Sequence, residues 1–299
     1  MKIGFIGLGI MGRPMVKNLL DAGMEVLVSD LNKDAVAEIL AYGKEKEVNV
    51  KEASYQEIGS GCEMIITMVP NGSIVKSILF DEGGVAASIP EGALVCDMSS
   101  ILPEESRECH DRLAEIGVSF LDAPVSGGEP GAIAGTLAIM VGGEEEAFGK
   151  MKPVFDILGS SAVYIGPSGS GSVTKLVNQL IVNNNIAIIG EGLVFAQKAG
   201  VDPEKVYQAI RGGLAGSACL DAKAPMMIER NFKPGGPIRI NYKDIKNVVS
   251  AAHSMEVPIP YTAQLFEIMQ YLKIHGHMED DHSVLVRYFE ALADVEVGT

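Results

Sequence analysis

The sequence is poor in basic residues. Lysine and arginine total 24 against 39 aspartates and glutamates, so the formal net charge is −15 at pH 7. This charge argues against nucleic acid as a partner, and it gives no long-range attraction for anions. An anionic ligand must therefore be held by local basic groups and backbone amides.

Cysteine is also scarce, and none of the four forms a C-x-x-C pair. The spacing excludes a zinc site of that type and predicts a reduced, cytoplasmic protein. A strand and a glycine turn begin at the first residues, so we expect no signal peptide. Polar residues 183–185 and Glu191 interrupt the longest apolar stretch. We therefore expect no membrane span and no membrane partner.

Histidines cluster in one place only. His275, His277 and His282 lie close in sequence to Asp280 and Asp281, a set of side chains that could bind a metal ion. The stretch has the polar composition of a turn between helices. We interpret it as a solvated loop and predict no metal site.

With 299 residues, of which 47 % are apolar, the chain is long enough for two cores. Short apolar strands alternate with helical patterns up to residue 164. Residues 165–299 read as helices throughout, beginning with a long helix at about 170–199. The sequence predicts the α/β class: a Rossmann-type, doubly wound, mostly parallel sheet in residues 1–164, then an all-helical domain in residues 165–299.

The first strand leads directly into a glycine-rich turn. Residues 2–12 read K-I-G-F-I-G-L-G-I-M-G, followed by a helical pattern. The G-x-G-x-x-G spacing permits a tight turn and the close approach of a pyrophosphate to a helix N-terminus. A second strand ends in Asp30, at the spacing where a carboxylate binds the adenosine ribose. The alternative is a glycine-rich turn that occurs by chance. The order of strand, turn, helix, strand and acid along the chain favours a dinucleotide-binding fold instead. The loop residues predicted to bind the cofactor are Gly7, Leu8, Gly9, Ile10, Met11 and Gly12.

Asp30 also bears on the choice of cofactor. A carboxylate there repels the 2′-phosphate of NADP, and the next residue is Leu31 rather than arginine. NAD is therefore the predicted cofactor. Because Lys33 could accommodate a phosphate, NADP remains possible.

Polar and small residues follow several predicted strands. In doubly wound sheets ligands bind beyond the carboxyl ends of the strands. The loop at residues 123–131 exposes consecutive backbone N–H groups and could hold a carboxylate, although an ordinary Gly/Pro turn has the same composition. The strand-end residues predicted to contact the cofactor are Val69, Pro70, Asn71 and Ser100. Those predicted to contact a carboxylate are Ser126, Gly127 and Gly128.

The long helix is apolar on nearly every face and is predicted to be buried all round. Ser170 or Ser172 can cap its start, and Gly200 can end it. Lys175 lies in its first turns, where the helix dipole and burial both disfavour a cation, so we expect a lowered pKa. Such a lysine could act as a proton donor and acceptor. The alternative is that Lys175 extends to solvent from the helix end.

Four motifs in order resemble the β-hydroxyacid dehydrogenase family over essentially the whole chain. They are F-I-G-L-G-I-M-G-R-P-M at 5–15, D-M-S-S at 97–100, D-A-P-V-S-G-G at 122–128 and G-S-G-S-V-T-K-L-V-N-Q at 169–179. The resemblance implies a nicotinamide-dependent enzyme that interconverts a small aldehyde acid and a hydroxy acid. Three later stretches, at 206–217, 220–226 and 230–235, resemble one branch of that family.

The resemblance also implies roles for individual residues. Lys175 would be the catalytic acid and base, and Ser126, Gly127 and Gly128 would hold the substrate carboxylate. Ser100 and Lys243 would contact the cofactor near the nicotinamide.

Two amides would flank the reacting oxygen, Asn178 and Gln179. Many relatives have asparagine at the position of Gln179, which leaves open which of the two orients the substrate. The apolar central helix also favours a homo-oligomer, a dimer or a tetramer.

Overall fold

The computed structural model describes residues 2–235 and 237–298. The chain forms two compact units that divide between Lys175 and Leu176. This division falls inside the long helix, which continues from one unit into the other.

The first unit contains one sheet, and apolar residues dominate its central strands. Within the described residues the strands are β1 (Lys2–Ile6), β2 (Glu25–Ser29), β3 (Val50–Glu52), β4 (Met64–Thr67), β5 (Leu94–Asp97), β6 (Ser119–Asp122), β7 (Val125–Ser126), β8 (Leu137–Gly142) and β9 (Gly159–Gly166).

The strand order is β3-β2-β1-β4-β5-β6-β8-β7, and β9 pairs with β8. Strands β1 to β6 pair in parallel. β8 runs antiparallel to β6 and β7 and parallel to β9. The order reverses between β1 and β4, where doubly wound sheets open a crevice for a ligand. The predicted α/β class and mostly parallel sheet are confirmed.

Helices cover both faces of this sheet. Alternate residues of β1 and β2 enter two separate apolar clusters, so each face has its own core. The helices are α1 (Gly12–Asp21), α2 (Lys33–Lys46), α3 (Tyr55–Gly61), α4 (Gly72–Phe80), α5 (Pro103–Ala114), α6 (Gly128–Ala134) and α7 (Glu145–Leu158), with a 3₁₀ turn at Val85–Ala87.

The remaining elements are helical, as predicted. They are α8 (Ser170–Lys198), α9 (Pro203–Ile210), α10 (Ala218–Ile228), α11 (Ile238–Ser254), α12 (Pro260–Ile274) and α13 (Val286–Ala293), with a 3₁₀ helix at His282–Leu285.

The long helix α8 ends as predicted but is not buried all round. Gly200 follows its end with a φ of +75°, and Lys198 lies in its last turn. One face is exposed and apolar, contrary to the prediction. We call it the α8 stripe; its residues are Val173, Val177, Ile181, Ile188 and Phe195.

By length and composition alone, α8 is able to cross a membrane, which corrects the expectation that its polar residues prevent this. Of the 18-residue stretch of α8 that meets this criterion, 44 % is buried. The buried side of the helix carries Lys175, Gln179 and Asn183. A core helix of a soluble protein passes the same test, so length and composition do not decide the matter.

Candidate active site

The turn after β1 brings backbone close to backbone. Gly7 has a φ of +106°, and a Cβ there would lie 2.2 Å from the carbonyl oxygen of Met68. A Cβ on Gly12 would lie 1.9 Å from the Gly7 carbonyl oxygen. Gly9 is exposed, and nothing lies within 4 Å of the position its Cβ would take. The turn is therefore closed toward the protein and open outward, where a pyrophosphate could approach the start of α1.

Asp30, the residue predicted to bind the adenosine ribose, lies beside this turn. Its carboxylate accepts hydrogen bonds from the N–H groups of Leu8 and, at 2.6 Å, of Asn32. Leu31 is 90 % exposed. Lys33 forms an ion pair of 2.6 Å with Glu52, so its charge is already partly compensated. The open turn and the acid after β2 together fit a dinucleotide cofactor.

The loops after β4 and β5 lie next to each other. The Val69 N–H donates to the Ser99 hydroxyl at 2.9 Å. The Asn71 side-chain oxygen caps α4 by accepting from the Ile74 N–H at 3.0 Å. Asn71 therefore has a structural role besides its predicted contact with the cofactor.

Beneath these loops lies Asp97, a fully buried carboxyl group that the sequence analysis did not single out. One oxygen accepts from the Thr67 hydroxyl at 2.7 Å and from the Ser99 N–H at 3.2 Å. Its other oxygen has no hydrogen-bond partner among the described residues. Burial raises the pKa of Asp97 to about 6. Asp97 thus fixes the position of Ser99 through a hydrogen bond, and Ser99 in turn fixes the Val69 backbone.

The predicted carboxylate loop begins where β7 ends. Ser126 is partly buried, and Gly127 and Gly128 are exposed. α6 begins at Gly128, and the Gly131 N–H donates to the Gly127 carbonyl at 3.1 Å. The two glycines therefore present backbone to the surface, as a carboxylate-binding loop requires.

The start of α8 is capped from another element, which corrects the prediction of a cap by Ser170 or Ser172. The Asp122 carboxylate at the end of β6 accepts from the N–H groups of Gly169 and Ser172, both at 2.8 Å. The Ser172 hydroxyl instead bonds the Ser106 hydroxyl at 2.9 Å. Asp122 also places a negative charge at a helix end that the sequence argument treated as uncompensated.

Lys175 is buried, with 8 % of its surface exposed. This contradicts the alternative in which the side chain extends into solvent. Burial fits the proton-transfer hypothesis, because desolvation disfavours the charged form of an amine.

In the helical unit, the two predicted amides bond to each other. The Asn178 amide donates to the Gln179 side-chain oxygen at 2.8 Å, and the Gln179 amide donates to Asp244 at 2.6 Å. Lys243 forms an ion pair of 2.9 Å with Asp244. Gln179 is thus held at both ends of its amide group. Asp244, which the sequence analysis missed, directly follows the predicted Lys243.

The histidine region is a solvated loop only in part: His275 is exposed, as predicted, but Asp281 and His282 are not. Asp281 is fully buried and forms an ion pair of 2.9 Å with Lys223. His282 has a side chain only 16 % exposed, and burial together with the Lys223 charge lowers its pKa to about 4. Residues 2–235 and 237–298 contain no cluster of three metal-ligating side chains. Asp281 and Lys223 thus form a buried ion pair in the helical unit, next to a turn at 275–280 that is partly or fully exposed.

Two family profiles together span most of the chain. The profile for the NAD binding domain of 6-phosphogluconate dehydrogenase matches residues 2–166. The profile for the NAD-binding region of NADP-dependent 3-hydroxyisobutyrate dehydrogenase matches residues 169–289. The first match contains the glycine turn and Asp30, and the second begins at the first turn of α8.

Individual relatives align over almost their full length. The chain is 40 % identical to 2-hydroxy-3-oxopropionate reductase of Escherichia coli (strain K12), covering 98 % of this chain and 99 % of that protein. It is 35 % identical to 2-(hydroxymethyl)glutarate dehydrogenase of Eubacterium barkeri, covering 99 % and 97 %. The structure of 3-hydroxyisobutyrate dehydrogenase of Mycobacterium tuberculosis with L-serine matches with a TM-score of 0.86 and 28 % identity, covering 96 % and 98 %. The chain therefore belongs to the β-hydroxyacid dehydrogenase family of NAD(P)-dependent oxidoreductases.

Proposed function

We propose that this enzyme reduces 2-hydroxy-3-oxopropanoate (tartronate semialdehyde) to D-glycerate. The 40 % identical relative from Escherichia coli carries the name of that activity. Residues 206–217 (V-Y-Q-A-I-R-G-G-L-A-G-S), 220–226 and 230–235 resemble the same branch of the family. The observation that carries the chemistry is the burial of Lys175 at the start of α8.

Lys175 acts as the general acid in this proposal. The reduced nicotinamide, when bound, supplies the hydride that the aldehyde carbon accepts. Protonated Lys175 donates its proton to the carbonyl oxygen, and in the reverse direction neutral Lys175 removes the hydroxyl proton. Ser126, Gly127 and Gly128 hold the substrate carboxylate through a hydroxyl and backbone N–H groups.

Asn178 is the better candidate for orienting the substrate oxygen. Gln179 is held by Asn178 and Asp244 at once, which leaves its amide less able to turn toward a ligand. Asn178 lies three residues after Lys175, so the two side chains share one face of α8.

The cofactor is held by the turn at residues 7–12, with Asp30 on the adenosine ribose. Val69, Pro70, Asn71, Ser100 and Lys243 complete the proposed cofactor contacts. NAD is preferred over NADP because Asp30 would repel a 2′-phosphate, and because Lys33 is paired with Glu52.

The decisive experiment is a side-by-side assay. The enzyme is given tartronate semialdehyde or the aldehyde of 3-hydroxyisobutyrate, each with NADH and with NADPH. We expect the highest kcat/KM for tartronate semialdehyde with NADH. A higher value for the second aldehyde would instead assign the enzyme to 3-hydroxyisobutyrate or a related small hydroxy acid, the first alternative.

The second alternative is a nucleotide-binding sensor without catalysis. Such a protein needs the glycine turn but neither a buried Lys175 nor the Ser126 loop, and the presence of both features speaks against it. NADH binding without oxidation by any small aldehyde acid would favour the sensor.

The cellular setting is part of the same proposal. Four thiols without a disulfide are in keeping with the reducing cytoplasm. The exposed α8 stripe supports assembly into a homo-oligomer, because apolar surface of this kind on a helix is usually covered by a partner.

A further inference from the structure

We propose that Asp122 is a positioning residue that aligns Lys175 with the loop that holds the substrate carboxylate. The inference rests on the proposed role of Lys175 as the acid. Asp122 is fully buried at the end of β6, and each of its carboxylate oxygens accepts one backbone N–H from the start of α8, those of Gly169 and Ser172, at 2.8 Å.

These two bonds determine where α8 begins and how it is rotated. Two N–H groups bound by one rigid carboxylate leave the first turn little freedom to slide or to turn about its axis. Lys175 follows Ser172 by three residues, about 4.5 Å along the helix and on the same side of it. A shift of the first turn therefore moves the Lys175 side chain by a similar amount.

The backbone at the start of α8 packs closely against the ends of β6 and β8, which leaves little room for the helix to shift. A Cβ on Gly171 would lie 2.3 Å from the Asp122 carbonyl oxygen and 2.4 Å from that of Met140. A Cβ on Gly142 would lie 2.6 Å from the Asp122 carboxylate and 2.8 Å from the Gly171 nitrogen. The helix thus rests directly on the ends of β6 and β8, and Asp122 sits at the centre of that contact.

Asp122 also belongs to the segment that carries the substrate loop. The chain runs from Asp122 through Pro124 into β7, which ends at Ser126. One residue therefore connects the proton donor on α8 with the loop at Ser126, Gly127 and Gly128. Misplacing reacting groups by about 1 Å can cost roughly 10²-fold in rate.

Two interactions stabilise the charged form of the buried Asp122 side chain. Burial raises the pKa of Asp122, and the N–H groups of Ser172 and Gly169 oppose that rise by stabilising the charged form. The positive end of the helix dipole favours an anion at the same point.

The test is a double-mutant cycle with Asp122→Asn and Lys175→Ala. The amide nitrogen of asparagine cannot accept a hydrogen bond, so one of the two N–H bonds is lost. In the otherwise unchanged enzyme we expect Asp122→Asn to lower kcat about 10- to 100-fold. The Kd for NADH, measured by its fluorescence, should change less than twofold. In the Lys175→Ala background, Asp122→Asn should lower the residual rate less than twofold, because Asp122 acts through Lys175.

Ser106→Ala is the matched control. It removes a hydrogen bond to the same turn of α8, that of Ser172, but leaves the two bonds to Asp122 intact. Its kcat should stay within about twofold of the unchanged enzyme. A loss as large as that of Asp122→Asn would mean that general loosening of the turn, rather than Asp122, sets the rate.

The outcomes separate this inference from the proposed function. Full activity of Lys175→Ala would overturn the role of Lys175 and the inference with it. An inactive Lys175→Ala beside a fully active Asp122→Asn, or equal losses from Asp122→Asn in both backgrounds, would overturn the inference alone. If Asp122→Asn does not fold, Asp122→Ser, which keeps one acceptor oxygen, is used in the same cycle. Loss of the fold in both would make Asp122 a folding residue and would also overturn the inference.

Discussion

Asp97, Asp122 and Lys175 are ionisable side chains buried in the first unit. Burying an isolated charge costs several kcal/mol, so each of these groups needs hydrogen-bond or ionic partners that offset this cost. Asp122 binds two backbone N–H groups, and Asp97 binds a hydroxyl and an N–H. Both carboxyl groups hold loops or helix ends rather than other charges. The two buried acids therefore stabilise the loops and the helix start that carry the predicted site residues.

The first prediction concerns Lys175. Lys175→Ala should lower kcat by about 10²- to 10⁴-fold, the usual contribution of general acid–base catalysis. NADH binding should be retained, since the alanine removes only the proton donor. Lys198→Ala, on the same helix but exposed, is the control and should turn over normally. Turnover near that of the unchanged enzyme in Lys175→Ala would remove this residue from the mechanism.

The second prediction concerns Asp97 and pH. Burial raises the pKa of Asp97 from 3.8 to about 6, so between these values the folded state binds a proton more readily than the unfolded state. The contribution of Asp97 to stability therefore falls as pH rises through this window, by about 3 kcal/mol in total. Asp97→Asn removes this dependence. Its stability at pH 7 relative to pH 4 should increase by about 2 to 3 kcal/mol compared with the unchanged protein.

Urea-unfolding midpoints at the two pH values, followed by circular dichroism, provide the measurement. Asparagine adds a constant cost at both pH values, because its buried NH₂ lacks an acceptor, so only the difference between them is diagnostic. Glu82→Gln, which removes a carboxylate at an exposed site, is the control and should leave the pH dependence unchanged. A pH dependence that Asp97→Asn does not alter would show that Asp97 titrates normally.

Some of these residues could have been found from the sequence. Asp97 and Asp122 each come directly after an apolar strand, at the sheet edge where ligands bind, and that position is a signal. The bonds they form were not predictable. The partners of Asp122 lie 47 and 50 residues further along the chain, and only the packing of α8 on β6 brings them together.

At the scale of the element, α8 combines two opposite surfaces. One side buries polar side chains, including Asn183, whose amide donates to the Gln179 carbonyl of its own helix. The other side is the α8 stripe, of which Phe195 is 77 % exposed. The apolar residues of α8 therefore lie in two environments: some are buried in the protein, and those of the α8 stripe are exposed.

The third prediction tests whether the α8 stripe is an interface between copies of this chain. Ile188→Glu places a carboxylate where apolar contact is expected, and burying it unpaired costs several kcal/mol. The dissociation constant of the oligomer should rise at least about 100-fold. Sedimentation velocity over a range of concentrations measures it. Ile116→Glu, the same change at an exposed site outside α8, is the control and should leave the dissociation constant unchanged. A wild-type protein that is a monomer at all concentrations would contradict the proposal.

Short elements show where sequence patterns fail. The elements β3, α3 and α6, which have 3, 7 and 7 residues, were not predicted from the sequence. A signal existed for α3, because Ser54 and Glu57 form a capping box with bonds of 2.8 and 3.3 Å. No such signal marks β3, whose three residues are a strand only because β2 pairs with them.

At the scale of the whole molecule, the charge of −15 opposes an anionic substrate. The fourth prediction is that kcat/KM for the aldehyde acid rises about twofold or more between 0.01 M and 0.15 M salt. Over that range the Debye length falls from about 30 Å to about 8 Å, which screens the repulsion. kcat should stay constant and is the internal control. A kcat/KM that falls with salt would instead indicate a locally positive entrance that outweighs the net charge.

The sequence alone determined the fold class, the glycine turn, the acid after β2 and the end of α8. These follow from local rules: strand and helix periodicity, the space that glycine leaves, and the order of elements along the chain. Tertiary structure alone decided which side of α8 is exposed, that Lys175 is buried, and that His282 and Asp281 lie in a core. It also decided that Asp122 caps α8. Each of these depends on contacts between segments far apart in sequence, because burial and hydrogen-bond partners are properties of packing rather than of the local chain.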